Sequence, residues 1–236
     1  MHNVTLADGT VIRPLASHDE REEAVRIQEE TWGAGFSEKI PAAMLLVAEE
    51  TGGIAAAAFT PAGRMLGFIF GVSGVRAGKL IHWSDMLAVR KEAQGRKLGA
   101  TMKQYQRDQC RRLGIEQMFW TYDPFVAKNA HLNLNLLGAR VDAFVPDMYG
   151  TATNSPMHGA LGTDRFVVAW PVATDPMPLP DTWSGQVAVV ASRDVAPASF
   201  PDVPHVVVEV PREYSDLLAG DVAHARAWRT AARRAF

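Results

Sequence analysis

A strand, a polar turn with glycine and a helix follow one another in the middle of the chain. The apolar stretch 86–89 leads into a turn that contains Gly95, and an amphipathic helical pattern begins at Leu98. Backbone amides at a helix N-terminus lack partners within the helix, and the helix dipole favours negative charge there. Arg96 and Lys97 add positive charge. The segment therefore predicts a site for a phosphate or pyrophosphate group.

The same spacing has a purely structural interpretation, in which Gly95 and Gly99 only make a tight turn and a close helix packing. The turn is not a Walker A loop, because no Gly-Lys-Ser/Thr follows it. It is not a dinucleotide fingerprint either, because the pattern Gly-x-Gly-x-x-Gly does not occur there.

Two side chains that could accept a proton lie on the strand that precedes this turn. Under regular alternation, Asp85 shares a face with Trp83 and Leu87, where an unpaired carboxyl group would have a raised pKa. Asp85 is the first candidate for a general base, and pairing with an arginine is its structural alternative. His82 lies on the opposite face of a regular strand, although a bulge would turn it, and its ordinary pKa of about 6.5 suits a base.

Two tyrosines are candidates for the proton donor. Tyr122 ends a predicted strand, and Tyr149 lies in the long loop before the last strand of the core. Each has an alternative as a packing residue. Cys110 is expected to be inert, and no set of histidine, cysteine, aspartate and glutamate has metal-ligand spacing, so no metal site is predicted.

The periodicity of apolar residues predicts the elements that position these side chains. The order is β-α-α-β-β-β-α-β-α-β-β, followed by a tail. The helix between the strands at 80–89 and 117–122 is a crossover, so we expect these two strands to be parallel in a mixed sheet. Strands are predicted at 11–14, 54–59, 65–72, 80–89, 117–122, 141–145 and 166–170, and helices at 17–31, 41–50, 98–113 and 129–137.

Length and charge limit the function classes. The chain has 236 residues, 24 basic against 26 acidic, with a net charge of −2 and one cysteine. This length suits one large domain or one domain with an appendage. The charge argues against partners such as nucleic acid or an anionic membrane, and a single cysteine excludes an internal disulfide. No apolar run reaches the roughly 18 residues of a membrane span, and no signal peptide is visible, so a cytoplasmic location is expected.

Gln94-Gly95-Arg96-Lys97-Leu98-Gly99 resembles the Q/R-x-x-G-x-G/A motif of the GNAT (Gcn5-related N-acetyltransferase) acyltransferases. Met86-Leu87-Ala88-Val89 is similar to their fourth strand, and the element order matches theirs. The resemblance covers about residues 10–171 and, more loosely, 206–236. Further stretches resemble a little-characterised subfamily of predicted acetyltransferases, namely 82–89, 120–124, 129–130, 137–139, 148–150 and 164–166.

The resemblance implies an α/β fold with a mixed sheet, of the GNAT-like acyl-CoA acyltransferase type, with a C-terminal strand and helix appendage. We expect an acyltransferase domain at 1–171, a proline-rich linker at 172–185, and an appendage at 186–236 that packs on the core. The appendage comprises two apolar stretches and a terminal helix from about Tyr214. It could widen the acceptor site, pair with the sheet or form a homodimer contact.

The resemblance also implies acetyl-CoA, or another acyl-CoA, as cosubstrate between strands 80–89 and 117–122. The turn would bind the pyrophosphate and strand 80–89 the pantetheine arm, and the Leu87 amide would face the thioester oxygen. Asn129 matches an asparagine that contacts the arm in relatives. The expected cofactor-binding residues are Leu87, Ala88, Val89, Gln94, Gly95, Arg96, Lys97, Leu98, Gly99, Ala100 and Asn129.

Two positions depart from the family pattern. Lys97 replaces the first glycine of the motif, which is tolerated where the backbone is helical with φ below zero. Leu134 stands where many relatives place a tyrosine that protonates the departing coenzyme A thiolate. The proton donor is therefore elsewhere or missing.

The implied function is acyl-CoA-dependent N-acyl transfer, most directly of acetyl, to an amine of a small molecule or protein. One alternative is a non-catalytic acyl-CoA-binding or regulatory module, which Leu134 favours. The other is a nucleic-acid binder that uses basic residues of the 98–113 helix and the tail, against which the net charge argues. On that helix, Lys103, Arg107, Arg111 and Arg112 are expected to lie mostly away from the apolar stripe.

Overall fold

A computed structural model describes residues 2–150, 161–174 and 208–236. One sheet has the strand order β1-β2-β3-β4-β5-β6-β8-β7. The strands are β1 (Val4–Thr5), β2 (Val11–Pro14), β3 (Ile54–Phe59), β4 (Met65–Arg76), β5 (Lys79–Val89), β6 (Gln117–Tyr122), β7 (Arg140–Val145) and β8 (Arg165–Pro171).

The helices of the described residues agree closely with the predicted ones. They are α1 (His18–Trp32), α2 (Ala42–Glu50), α3 (Leu98–Arg112), α4 (Ala127–Ala130), α5 (Tyr214–Gly220) and α6 (Val222–Ala235). A 3₁₀-helix at Lys91–Ala93 precedes α3, and a π-helix at His131–Leu136 continues α4. The predicted single terminal helix is thus two helices, since α5 ends at Gly220 and the side chain of Asp221 caps α6.

The sheet is mixed, as predicted. Neighbouring strands from β1 through β5 are antiparallel, whereas β5 and β6 are parallel. The helix α3 connects these two strands, and a parallel pair needs such a crossover. The α/β class and the parallel pair are therefore confirmed.

The chain divides into two compact units. The described part of the first comprises residues 2–120 and 168–174, and that of the second comprises 121–150, 161–167 and 208–236. The predicted linker lies mostly outside the described residues, as do the apolar stretches 187–190 and, for the most part, 206–210. The domain boundaries drawn from the sequence remain a prediction.

The core of the first unit lies between the sheet and the helices α1 and α2. Strand β3 is buried along its whole length, and two of its four successive alanines, Ala55 and Ala57, belong to the core on this side. Met86 and Ala88 of β5 belong to this core. The even-numbered residues at the end of β5 therefore face α1 and α2.

In the second unit, α6 packs its apolar stripe on Phe125 and Leu161. The buried carboxylate of Asp164 accepts two hydrogen bonds from Arg233, of 2.9 and 2.5 Å. Arg229 donates to Asp123 at 3.0 Å. Two arginines of α6 therefore form ion pairs within the second unit.

Part of the expected solvated face of α3 is buried. Lys103 and Arg107 are each 4% exposed, so the prediction that these two basic residues lie away from the packed side is wrong. Arg107 donates to the carbonyl oxygens of Pro171 and Thr174, both in the same unit. These carbonyls, which sequence periodicity does not reveal, account for the burial of the guanidinium.

Candidate active site

Strands β5 and β6 pair over only a short stretch and then separate. The paired positions run from Ile81 with Gln117 to Trp83 with Phe119. Beyond Trp83 the strand β5 continues to Val89 with no registered partner on β6 among the described residues. The backbone at the end of β5 is therefore available on one side for another extended molecule.

A bulge breaks the alternation of β5 just beyond this point. Phe70 of β4 pairs with Met86, and Gly71 pairs with Ser84, so Asp85 is the extra residue. Bulges re-aim side chains in this way and are frequent next to active sites.

The faces of β5 change across the bulge. Ser84 contacts Lys103 of α3, and a Cβ built on Gly99 would lie 3.7 Å from Leu87 Cδ2. Ser84 and Leu87 therefore both face α3, although three positions separate them. The expectation that one face runs unbroken from Trp83 through Asp85 to Leu87 and Val89 is wrong, because the extra residue reverses the alternation.

Asp85 is exposed and has no ion-pair partner within 4.0 Å in the described part of the chain. Desolvation by the surrounding protein raises the pKa of its carboxyl group, and the charge of Lys103 partly opposes this rise. A carboxyl group with a raised pKa, open to solvent beside the separating strands, has the properties of a proton acceptor.

His82 is completely buried. Ser73 donates to the Gly52 carbonyl at 2.6 Å, so its oxygen accepts from Nδ1 of His82, 3.0 Å away. A Cβ on Gly71 would lie 2.3 Å from Nε2, which fixes the ring against the strand. Desolvation, helped by Lys103, lowers the pKa of His82 to about 3. The ring is therefore neutral at neutral pH and a weak base.

The turn after β5 presents a row of unpaired amides. Within the described residues, the N–H groups of residues 95–100 donate to no protein acceptor. Two positive φ angles, +78° at Gly95 and +59° at Lys97, curl the backbone. Successive amides in such a turn, followed by a helix N-terminus, form an anion-binding concavity.

Lys97 has a left-handed conformation, so the negative φ under which a lysine is tolerated at this position is not met. Its side chain and that of Arg96 are exposed. The side chain of Gln94 donates to the Val89 carbonyl at 2.9 Å, which closes the turn against the end of β5. Leu98 is buried and anchors the first turn of α3.

Arg90 holds the end of β5 in place. Its guanidinium contacts Glu23 and Glu30 of α1 at 2.6 and 2.8 Å and donates to the Met65 carbonyl at 2.8 Å. The hydrogen bonds that Arg90 donates to Glu30 raise the pKa of Arg90. Arg90 is therefore committed to the scaffold, whereas Arg96 stays at the surface of the turn.

Lys103 is a candidate site residue that the sequence interpretation missed. Its Nζ donates to Ser84 Oγ at 2.7 Å and lies 4.1 Å from the centroid of the Trp120 ring. Burial lowers the pKa of Lys103 to about 7. The one signal in the sequence is its seven-residue spacing from Cys110, because cysteine is among the residue types most often buried and this spacing places both residues on one side of the helix.

The remaining predicted residues lie in the second unit. Tyr122 is buried, its hydroxyl has no partner among the described residues, and burial raises its pKa to about 12. The Tyr149 hydroxyl lies 3.1 Å from Thr121 Oγ1. Asn129 is partly buried in α4. The structure thus brings Asp85, the turn and Lys103 together in the first unit. The other candidates belong to the second unit, namely Tyr122, Tyr149 and Asn129.

The described residues contain no group of three or more histidine, cysteine, aspartate or glutamate side chains that could hold a metal ion. In the same part of the chain, no helix has the length and apolar character that a membrane crossing requires.

Solved structures share this architecture. A phosphinothricin acetyltransferase from Sinorhizobium meliloti in complex with acetyl-CoA matches with a TM-score of 0.55 and 15% identity, over 74% of this chain and 96% of that one. The chain has the GNAT fold. No family model matches the sequence, and no curated protein matches it.

Other proteins with the GNAT fold match to a similar extent. A putative acetyltransferase from Salmonella typhimurium, with its cofactor acetyl-CoA, has a TM-score of 0.53 and 17% identity, covering 74% of this chain and 99% of that one. The ribosomal-protein-S18-alanine N-acetyltransferase from Escherichia coli has a TM-score of 0.52 and 16% identity with the same coverage. At these identities the likeness establishes the GNAT fold alone.

Proposed function

We propose that the chain is an acyl-CoA-dependent N-acyltransferase, which transfers most directly an acetyl group to an amine of a small molecule or a protein. The observation that carries the proposal is the row of unpaired amides at residues 95–100, placed just after the unpaired end of β5. A pyrophosphate fits these amides, and an extended amide-containing arm fits the free strand edge. Coenzyme A contains both groups, and solved structures of this fold hold acetyl-CoA.

The pantetheine arm would lie along the backbone of residues 87–89, and the Leu87 amide would face the thioester oxygen. An N–H group aimed at a developing oxyanion stabilises the transition state of acyl transfer. Asp85, two residues earlier on the bulge, would take the proton of the acceptor amine. A cytoplasmic location remains part of this proposal.

The binding of acetyl-CoA is tested by removing one amide from the turn. In Gly99→Pro the ring replaces the N–H group, in the first helical turn where proline is tolerated. We expect acetyl-CoA to raise the Tm of the wild type and not that of Gly99→Pro.

Gly99→Ala is the matched control, since the new Cβ would make only ordinary contacts with Leu87 and Val89, at 3.7 and 4.0 Å. It keeps the amide and should keep the thermal shift. A shift of wild-type size in Gly99→Pro would contradict the placement of the pyrophosphate.

The non-catalytic alternative keeps the amides and loses the chemistry. The low pKa of His82 and the buried Tyr122 hydroxyl give it support, because neither group is suited to exchange protons at neutral pH. Thiol release from acetyl-CoA with a broad panel of amines separates the two functions. Binding without thiol release would favour the regulatory module.

A further inference from the structure

Lys103 occupies the point at which the two parallel strands separate. The last paired residues are Trp83 and Phe119, so Ser84 and Trp120 are the next residues on their strands. Nζ of Lys103 contacts both, through the hydrogen bond to Ser84 Oγ and over the face of the Trp120 ring. The amine therefore lies at the apex of the opening between β5 and β6.

This amine has little negative charge to balance it. Among the described residues, no carboxylate lies within 4.0 Å of Nζ, and the side chain is 4% exposed. A charged lysine has three N–H donors, and Ser84 accepts one of them. Buried charges are normally paired, so the arrangement favours a negative group that arrives at the opening.

The titratable groups that face Lys103 come from its own helix and from β5. On β5, the charge of Asp85 favours the charged form of Lys103, and His82 is neutral. On α3, the buried Cys110 has a pKa raised to about 12 by desolvation and is neutral too. Desolvation outweighs these groups and lowers the pKa of Lys103, which suits a group that exchanges a proton near neutral pH.

We propose that Lys103 donates a proton to the thiolate of coenzyme A as the acyl group leaves. This inference rests on the proposed function, in which the thioester lies in the opening between β5 and β6. It assigns to α3 the role of proton donor that Leu134 of the π-helix does not fill.

The transfer conserves atoms, electrons and protons. The lone pair of the acceptor nitrogen forms the C–N bond, the C–S bond breaks, and its electron pair stays on sulfur. An Nζ proton of Lys103 moves to sulfur and yields the free thiol and a neutral amine. The surplus proton of the acceptor nitrogen passes to Asp85 and from there to solvent, and Lys103 takes up one proton from solvent before the next turnover.

Three variants at this position and one elsewhere test the proposal. Lys103→Met removes the donor at similar volume. Lys103→Gln is the second neutral variant should methionine disturb the fold. Lys103→Arg keeps a charge that does not dissociate. Lys79→Met, in the exposed tip of the β4–β5 hairpin, is the matched control.

Three measurements are made on each variant: the thermal shift with coenzyme A, the pH profile of kcat with acetyl-CoA, and the pKa of the bound coenzyme A thiol from its ultraviolet absorbance. We expect every variant to bind coenzyme A. In Lys103→Met, kcat should fall by about 100-fold, and the bound thiol pKa should rise by about 1–3. Lys103→Arg should keep the low thiol pKa without recovering kcat, and Lys79→Met should match the wild type.

Two results would overturn the inference while the proposed function stands. The first is wild-type kcat and thiol pKa in both neutral variants. The second is full recovery of kcat in Lys103→Arg, which would reduce the role to electrostatics. If the wild type itself gives no thermal shift with coenzyme A, the proposed function fails, and this inference fails with it.

Discussion

At the scale of single residues, the bulge at Asp85 and the burial of Lys103 decide which groups near β5 could exchange protons. Asp85 keeps access to solvent, and desolvation raises its pKa. His82, three positions before Asp85, is buried, and its ring is neutral. Residues close together in sequence thus have different protonation chemistry, because burial differs at each position.

The proposed base gives a prediction in the pH dependence of transfer. For the wild type, kcat/KM should fall as the pH drops through the pKa of Asp85, which lies above the ordinary value of about 3.9. Asp85→Asn should be slower by about 100-fold above that pH, and this ratio should shrink as the pH falls, because the wild-type carboxylate is then protonated. Asp108→Asn, at a partly exposed carboxylate of α3 that pairs with Arg111, serves as the control. Equal wild-type and Asp85→Asn rates at neutral pH would remove Asp85 from the mechanism.

At the scale of elements, the turn between β5 and α3 combines free amides, which favour anion binding, with backbone strain, which lowers stability. Two residues in the left-handed conformation expose the amides of residues 95–100, and one of the two is Lys97 rather than glycine. A side chain with a Cβ in this conformation costs about 1–2 kcal/mol. The exposed amides and the strain therefore come from the same backbone geometry.

Replacing Lys97 separates the effect of backbone conformation from that of charge. Lys97→Gly should raise the free energy of unfolding by about 1 kcal/mol, because glycine adopts the left-handed conformation without a clash. Lys97→Ala removes the charge and keeps the strain, so it should give no such gain. Urea unfolding of the three proteins measures the difference. Equal stabilisation by alanine would point to charge repulsion instead.

At the scale of the whole molecule, ion pairs tie the C-terminal helix to residues far away in the chain. Asp164 has a completely buried side chain that contacts Arg233 and Arg229 of α6. Burial raises the pKa of Asp164, but the hydrogen bonds from Arg233 and the Asp147 amide outweigh burial, so the net pKa is lowered. The folded second unit is therefore stabilised by an ionised carboxylate.

This lowered pKa predicts a loss of stability in acid. The contribution is fully present above the unfolded pKa of about 3.9 and disappears as the pH falls through the lower folded value. Asp164→Asn should lower the free energy of unfolding by about 3–5 kcal/mol at pH 7 and by clearly less in strong acid. Urea unfolding at several pH values measures this, with the exposed Asp216→Asn as the control. A difference from the wild type that does not change with pH would contradict the ionic origin.

Much of the fold follows from local sequence patterns. The strands and helices of the first unit lie close to their predicted ranges, and the parallel pair follows from the length of the crossover through α3. The free amides of the turn were predictable too, because glycine, the polar turn and the start of a helix are properties of consecutive residues.

The tertiary structure alone decided which face of β5 each side chain occupies and which buried groups have shifted pKa values. The bulge at Asp85 depends on how β5 pairs with β4, and a shift of one residue reverses every side chain that follows. Lys103 can be buried because two other elements contact its amine: Ser84 accepts a hydrogen bond, and the Trp120 ring lies against Nζ. Partners distant in the chain set burial and pKa, and amphipathic periodicity on one helix carries no record of them.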